Sequence, residues 1–189
     1  EFTNRVRSEA SARFGLDADA IMVHPAQSHS APSCGPMMLD KDFPLKLTPE
    51  TEYLTGSESA YFDFAAAKAV EAIGLACAAL KPARVGMEGP SDPEVGVLLA
   101  QGDDGQALAM LLHHTCHPVC VFASQKSYRQ ASADWPGAWS SAMADLCASG
   151  SSPLVVNGCC GNINPWDPFE PDFIPDHQRM GQALASLSR

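Results

Sequence analysis

Three loops carry most of the polar side chains that could do chemistry, and each loop follows a predicted strand. The first loop holds Gln27 to His29, the second holds His117 with Asp134 further along, and the third runs from Gly158 to Asn164. Because sites assemble at strand ends in α/β sheets, these residues are candidates for one shared site.

The histidines in these loops indicate a metal site. A neutral imidazole binds zinc, and a catalytic zinc keeps about three protein ligands and a water whose pKa falls to about 7. His29 and His117 have the chemistry and the placement that such a site needs. A lone histidine beside a strand is more often a hydrogen-bonded structural residue, and two of them on strand-end loops favour the metal site modestly. His113 and His114 occupy successive strand positions, so at least one of them points into the core or to the opposite face.

The pair Cys159 and Cys160 offers a different chemistry. A thiolate near backbone amides and a histidine can attack a carbonyl carbon, so either residue is a candidate nucleophile. Small residues in a tight turn after a buried strand explain the pair as well. The seven cysteines of the chain include no CxxC pair, which excludes a zinc finger of that type.

Composition limits the classes of partner. The net charge is −10, and no basic stripe is present that would bind a phosphate backbone, so we expect no nucleic-acid partner. No apolar run reaches the roughly 18 residues of a membrane span.

The chain starts at Glu1 inside a helix-like pattern and without a methionine, so we expect further sequence upstream. The length favours a single domain.

Periodicity predicts the elements of the first half of the chain. Apolar residues recur every four positions from Phe2 to Phe14, which predicts a helix that Gly15 ends. Residues 19–23 form a short apolar run that predicts a strand. Residues 31–57 are rich in Pro, Ser, Thr and Gly, and we interpret them as a lid loop over a substrate. Residues 57–80 carry the clearest helical pattern.

The second half alternates strands with helices. Two apolar runs, 94–99 and 107–113, flank the turn signal Gly102-Asp-Asp-Gly105 and predict a β-hairpin. A helix over 136–148, a buried strand over 154–156 and a final helix near 176–187 follow. This order predicts an α/β layered domain with a mixed β-sheet flanked by helices.

Several sequence blocks, in this order, resemble the neutral/alkaline (non-lysosomal) ceramidases and their bacterial relatives. Ala26-Gln-Ser-His-Ser-Ala-Pro32 is similar to the family block Thr-His-Thr-His-Ser-Gly-Pro, and Thr115-Cys-His-Pro118 is similar to the block with a zinc histidine. The remaining similar blocks are Lys81-Pro-Ala-Arg-Val-Gly86, Asp92-Pro-Glu-Val-Gly-Val-Leu98, Ser132-Ala-Asp-Trp-Pro-Gly137 and Gly158-Cys-Cys-Gly-Asn-Ile-Asn-Pro165. By this resemblance, residues 1–189 are an internal part of the family's N-terminal zinc hydrolase domain.

The resemblance implies an activity, a cofactor and a set of roles. The family hydrolyses the amide of an N-acylated sphingoid base with a zinc-activated water. His117 would then be a zinc ligand, and His29 would lie beside the metal and the scissile carbonyl. Asp134 is a candidate catalytic residue on its own chemistry, and a structural role in holding the loop at a helix entry explains it at least as well. Gly158, Gly161 and Asn162 would line the substrate site. The implied partner is a lipid-like amide, with contact at a membrane surface, and the implied location is periplasmic or secreted.

Two departures from the family pattern change the expected site. The family's first zinc histidine falls on Gln27, whose amide oxygen is a poorer zinc ligand, so we expect a weakened or altered metal site. The serine of the family's glycine loop falls on Asn164, which can donate a hydrogen bond to an oxyanion but has no hydroxyl nucleophile. The family's other ligands, a glutamate and a tyrosine, correspond to sequence after Arg189.

Three functions follow from these residues. The first is a metal-dependent amidase with His117, His29 and Gln27 at the metal. The second keeps the fold without catalysis, as a lipid- or glycan-binding domain. The third is a cysteine-dependent hydrolase that uses Cys159 or Cys160.

Overall fold

The computed structural model describes residues 1–35, 39, 44, 46–88, 95–124, 129–148, 150–167, 169–170 and 172–189. Their contacts divide the chain into two compact units. One unit contains Glu1–Val23 with Pro32–Leu80, and the other contains His24–Ala31 with Lys81–Arg189. The lid predicted over 31–57 lies in part outside the described residues.

The first unit is built on two helices. Helix α1 is Phe2–Phe14, as its pattern predicts, and Gly15 ends it in the left-handed conformation at φ 67°. Helix α2 is Ser59–Ala78. Their contact buries a small core of Val6, Ala66 and Val70. Gly74 lets α2 approach the ring of Phe14, because a Cβ on Gly74 would lie 2.5 Å from the Phe14 Cζ.

The strand predicted over residues 19–23 is wrong. Ala18–Ala20 form a 3-10 turn, and Asp17 accepts a hydrogen bond from the N–H of Asp19. The carbonyl of Ile21 accepts a hydrogen bond from the Arg7 Nε at 2.7 Å. In a strand, this carbonyl would instead accept the N–H of a neighbouring strand. A short apolar run cannot by itself distinguish a strand from other buried segments.

The second unit contains a four-stranded mixed sheet, which confirms the predicted α/β class. The strands are β1 Arg84–Glu88, β2 Gly96–Gln101, β3 Ala107–His114 and β4 Leu154–Asn157, in the order β1-β2-β3-β4. The first two pairings are antiparallel and the third is parallel. The predicted hairpin is therefore confirmed as β2 and β3, and β1 adds a strand before it.

Helices cover this sheet through a core of aromatic and aliphatic side chains. They are α3 Cys120–Ala123, α4 Asp134–Met143 and α5 His177–Leu187. Helix α4 is shorter than predicted, because residues 144–146 form a 3-10 turn. Trp135 and Trp139 are completely buried and pack in one cluster with Leu112 of β3. In the part of the chain that the structure describes, no helix is both long and apolar enough to cross a bilayer.

Candidate functional site

The parallel pairing of β3 with β4 places two of the candidate loops at one sheet edge. The last pair in the register is His114 with Asn157. The loops that follow the two strands therefore begin side by side at the same edge of the sheet. The loop 24–31 joins them there. The Nε2 of His24 accepts the backbone N–H of Asn157 at 2.9 Å, and the side-chain Nδ2 of Asn157 donates to the Ala26 carbonyl at 3.3 Å.

These tethers bring His29 and His117 together. Their Nε2 atoms lie 3.1 Å apart, and their rings meet edge to face with centroids 4.8 Å apart. The backbone holds both residues, because the N–H of His29 donates to the Pro118 carbonyl and the N–H of His117 donates to the Ile163 carbonyl. All three predicted loops therefore contribute to this histidine pair.

The spacing of the pair suits two ligands of one ion. Two imidazole nitrogens bound tetrahedrally to zinc at about 2.0–2.1 Å would lie roughly 3.3 Å apart, close to the 3.1 Å found between these Nε2 atoms. Desolvation and the neighbouring His117 lower the pKa of His29, and Asp134 offsets part of this effect. The lowered pKa favours the neutral imidazole that binds a metal. Among the described residues, no group of three or more His, Cys, Asp or Glu side chains could hold a metal ion.

Gln27 lies in the same loop but in an unusual backbone conformation. Its φ is 58°, in the left-handed region that residues other than glycine rarely adopt. Its side-chain Oε1 accepts a hydrogen bond from the Cys160 Sγ at 3.5 Å. A Gln27 oxygen that binds a metal would have to leave this thiol, and the predicted ligand role stays a prediction.

Asp134 is a buried clamp between two helices. Its side chain is 1% exposed, Oδ2 accepts the N–H of Val121 in α3, and Oδ1 accepts the N–H of Trp135 in α4, both at 2.8 Å. Its backbone is also left-handed, at φ 55°. This carboxylate supports the segment that follows His117, and its predicted catalytic role stays a prediction.

The glycine loop contacts the histidine pair through the Ile163 carbonyl, which accepts the His117 N–H. Gly158 is tightly packed, since a Cβ there would lie 2.2 Å from the Thr115 Oγ1. Gly161 and Asn162 are exposed and Asn164 is half-buried. Their predicted roles in substrate binding and oxyanion donation stay predictions.

The cysteines of the site are mostly buried thiols. Cys160 is 5% exposed, and its partners are the side chains of Asn157 and Gln27. Burial raises the pKa of Cys116 to about 12, with smaller contributions from Cys160 and Asp134. A thiol with so high a pKa carries almost no thiolate at neutral pH, which argues against Cys116 as a nucleophile. Cys159 is exposed.

Three contributors escaped the sequence reasoning. His24 and Asn157 tie the first loop to β4, and Phe122 lies against His29 with ring centroids 5.6 Å apart while 53% of its surface is exposed. The signal for Phe122 was its position shortly after His117, on a segment that begins with buried residues. An aromatic side chain exposed at this place is a candidate for substrate contact.

The His24 tether predicts a dependence of stability on pH. Desolvation, and then the neighbouring His113, lower the pKa of His24 below 6.5. The unfolded chain therefore binds more protons between the folded and unfolded pKa values, and stability falls as the pH drops through that interval. Protonation also turns the Nε2 acceptor into a donor that opposes the Asn157 N–H.

We expect the wild-type chain to lose more stability than His24→Gln between pH 7.5 and pH 5. The measurement is the free energy of unfolding in urea at each pH for both chains. Equal losses in the two chains would contradict the role of His24, since other groups titrate in both.

Comparisons with known proteins bear on the fold. No protein-family model matches the chain, and no curated protein sequence matches it. The structure is similar to that of the neutral ceramidase from Pseudomonas aeruginosa, with a TM-score of 0.73, 17% sequence identity, and coverage of 98% of this chain and 33% of that one. It is also similar to a ceramidase complexed with C2, with a TM-score of 0.73, 18% identity, and coverage of 98% and 32%.

These neighbours are much longer proteins. The chain spans about a third of the length of each of these two structures. At 17–18% identity the likeness shows the fold, and it agrees with the mixed sheet and the helices that cover it. The chain has a ceramidase-like α/β fold.

Proposed function

We propose that the chain is part of a metal-dependent hydrolase that cleaves the amide bond of a lipid-like, N-acylated substrate. The observation that carries the proposal is the histidine pair, in which the Nε2 atoms of His29 and His117 face each other at 3.1 Å. Two ring nitrogens this close require a shared proton or a shared ion. The ceramidase-like fold adds support from an independent direction.

The residues of this chain have defined tasks in that reaction. His29 and His117 would hold zinc, which supplies a polarised carbonyl and an activated water when it is bound. The Ile163 and Pro118 carbonyls hold the backbone of the same two histidines by accepting their N–H groups. Asn164, on the glycine loop, would donate a hydrogen bond to the developing oxyanion.

Apolar surface beside the histidines supports a lipid-like substrate. Phe122 lies against His29, and Ile163, whose carbonyl holds His117, is 43% exposed. These two side chains would contact the acyl chain next to the amide. An exposed aromatic ring and an exposed aliphatic side chain suit a hydrocarbon better than they suit a polar peptide or sugar.

Removal and return of the metal test the proposal. We expect the complete hydrolase of which this chain is a part to contain zinc by elemental analysis and to hydrolyse a fluorogenic N-acyl sphingosine amide. A chelator should abolish this hydrolysis, and added zinc should restore it. Alkylation of exposed thiols serves as the control, because a cysteine-dependent hydrolase would lose activity on alkylation and ignore the chelator. A chain that holds no zinc but retains lipid would contradict the proposal and favour a binding domain.

A further inference from the structure

Three side chains next to the histidine pair form a hydrogen-bonded chain with a fixed direction. It begins at Asn157, which is 7% exposed. The Oδ1 of Asn157 accepts the N–H of Cys116 at 3.4 Å, and its Nδ2 donates to the Ala26 carbonyl at 3.3 Å. Because one backbone donor and one backbone acceptor hold the two ends of this amide, its orientation is determined by the network.

The direction continues through Cys160 to Gln27. The Nδ2 of Asn157 donates to the Cys160 Sγ at 3.2 Å, so the sulfur is an acceptor in that contact. The S–H is then directed to the Gln27 Oε1, 3.5 Å away. A thiol is a weak donor, and the Cys160 side chain is buried at 5% exposure.

The remaining end of the Gln27 amide is a pair of donors. Among the residues that the structure describes, the Nε2 of Gln27 has no hydrogen-bond partner, and Gln27 is exposed. It lies two residues before His29 in the same loop. Its backbone is left-handed at φ 58°, which residues other than glycine rarely adopt, and such strain concentrates at functional sites.

We propose that Gln27 binds the carbonyl oxygen of the scissile amide, and the carboxylate of the acid product, through its Nε2 hydrogens instead of binding the metal through its Oε1. This inference rests on the proposed function and names a role for one residue in it. Hydrolysis adds water across the C–N bond and yields a carboxylic acid and an amine. The same Nε2 donors can therefore contact the carbonyl oxygen before cleavage and the acid oxygen after it. A donor aimed at the developing oxyanion stabilises the transition state.

The direct test is an NMR titration of the ¹⁵N-labelled chain with octanoate, a short acid product. The Gln27→Glu spectrum identifies the Gln27 side-chain signals by their absence. We expect both Nε2 proton resonances to shift and to saturate with octanoate. Resonances that stay fixed at saturating octanoate overturn the proposal, whether other signals move or not.

Affinity measurements add a matched pair of variants. Gln27→Glu replaces the two donors by an acceptor of the same shape. We expect octanoate to bind about tenfold more weakly or worse, since a hydrogen bond to a charged group is stronger than one between neutral groups. Gln182→Glu makes the same charge change on the exposed surface of α5 and should leave octanoate affinity unchanged. If both variants lose octanoate affinity equally, the change in net charge explains the effect of Gln27→Glu, and the proposed contact is contradicted.

Zinc affinity separates this role from a ligand role. A carboxylate binds zinc better than an amide oxygen does, so Gln27→Glu would tighten zinc at least tenfold if the side chain faced the ion. We expect zinc affinity to change by less than about threefold, and tenfold tightening would overturn the proposal. If the Gln27 resonances shift with octanoate but no hydrolysis is detected, the proposed function is wrong. Gln27 would then still be a carboxylate-binding residue.

Discussion

His117→Ala is expected to lower the zinc affinity of the complete hydrolase that contains this chain by at least about 100-fold and to remove its amide hydrolysis. Residues that only support metal ligands already affect metal affinity by roughly 10–100-fold, so loss of a direct ligand should exceed that range. The His117 Nε2 faces the His29 Nε2 at 3.1 Å, and a lone imidazole at this edge holds zinc weakly. Isothermal titration with zinc and the amide assay measure the two effects.

Two further variants complete this experiment. His29→Ala should reproduce the loss, because the two rings act as a pair. His177→Ala is the control, because it removes a histidine at the start of α5. Within the described residues, the His177 ring is hydrogen-bonded only to the side chain of Gln178, so this variant should leave zinc binding intact. If His117→Ala binds zinc as tightly as the wild-type chain, the site proposed here is wrong.

The sequence predicted the parts of the site that depend on strand ends. Alternation and turn residues placed His117 at the end of β3 and the glycine loop at the end of β4, and both placements are confirmed. Parallel pairing of these strands then brings the two loops to one edge. This step follows from topology and needs no knowledge of the side-chain contacts.

The loop 24–31 could not be derived in the same way. The run before it predicted a strand, yet a 3-10 turn and a bond from Arg7 to the Ile21 carbonyl occupy that segment. What positions His29 is a set of long-range hydrogen bonds, chiefly from Asn157 to His24 and to Ala26, across more than 130 residues of sequence. Local periodicity carries no information about such contacts.

Backbone strain was also hidden from the sequence. Gln27 and Asp134 are the two non-glycine residues with positive φ in the described part of the chain. Gln27 lies in the same loop as His29, and Asp134 acts electrostatically on His29. Glutamine has no special preference for this conformation. Residues that break a local rule at a candidate site are where sequence reasoning is expected to fail.

Asp134→Ala is expected to destabilise the chain by about 3–5 kcal/mol, which is a large part of the stability of a domain. The substitution removes the carboxylate that accepts the N–H groups of Val121 and Trp135. Each buried N–H left without an acceptor costs roughly 1–3 kcal/mol of stability. Alanine also tolerates a φ of 55° less well than aspartate does. Both donor residues are buried, so the cost of leaving their N–H groups without an acceptor is large.

Asp134→Asn is the matched control for this change. Asparagine adopts the left-handed conformation readily and keeps one carbonyl oxygen, so we expect it to lose about 1–2 kcal/mol. Urea unfolding of the three chains measures the difference as a shift in midpoint with an unchanged slope.

Because the Val121 bond anchors the helix that begins three residues after His117, Asp134→Ala should also weaken zinc binding in the chains that remain folded. A loss below about 1 kcal/mol for Asp134→Ala would show that the clamp contributes little, and it would return Asp134 to the candidates for a direct role in the chemistry.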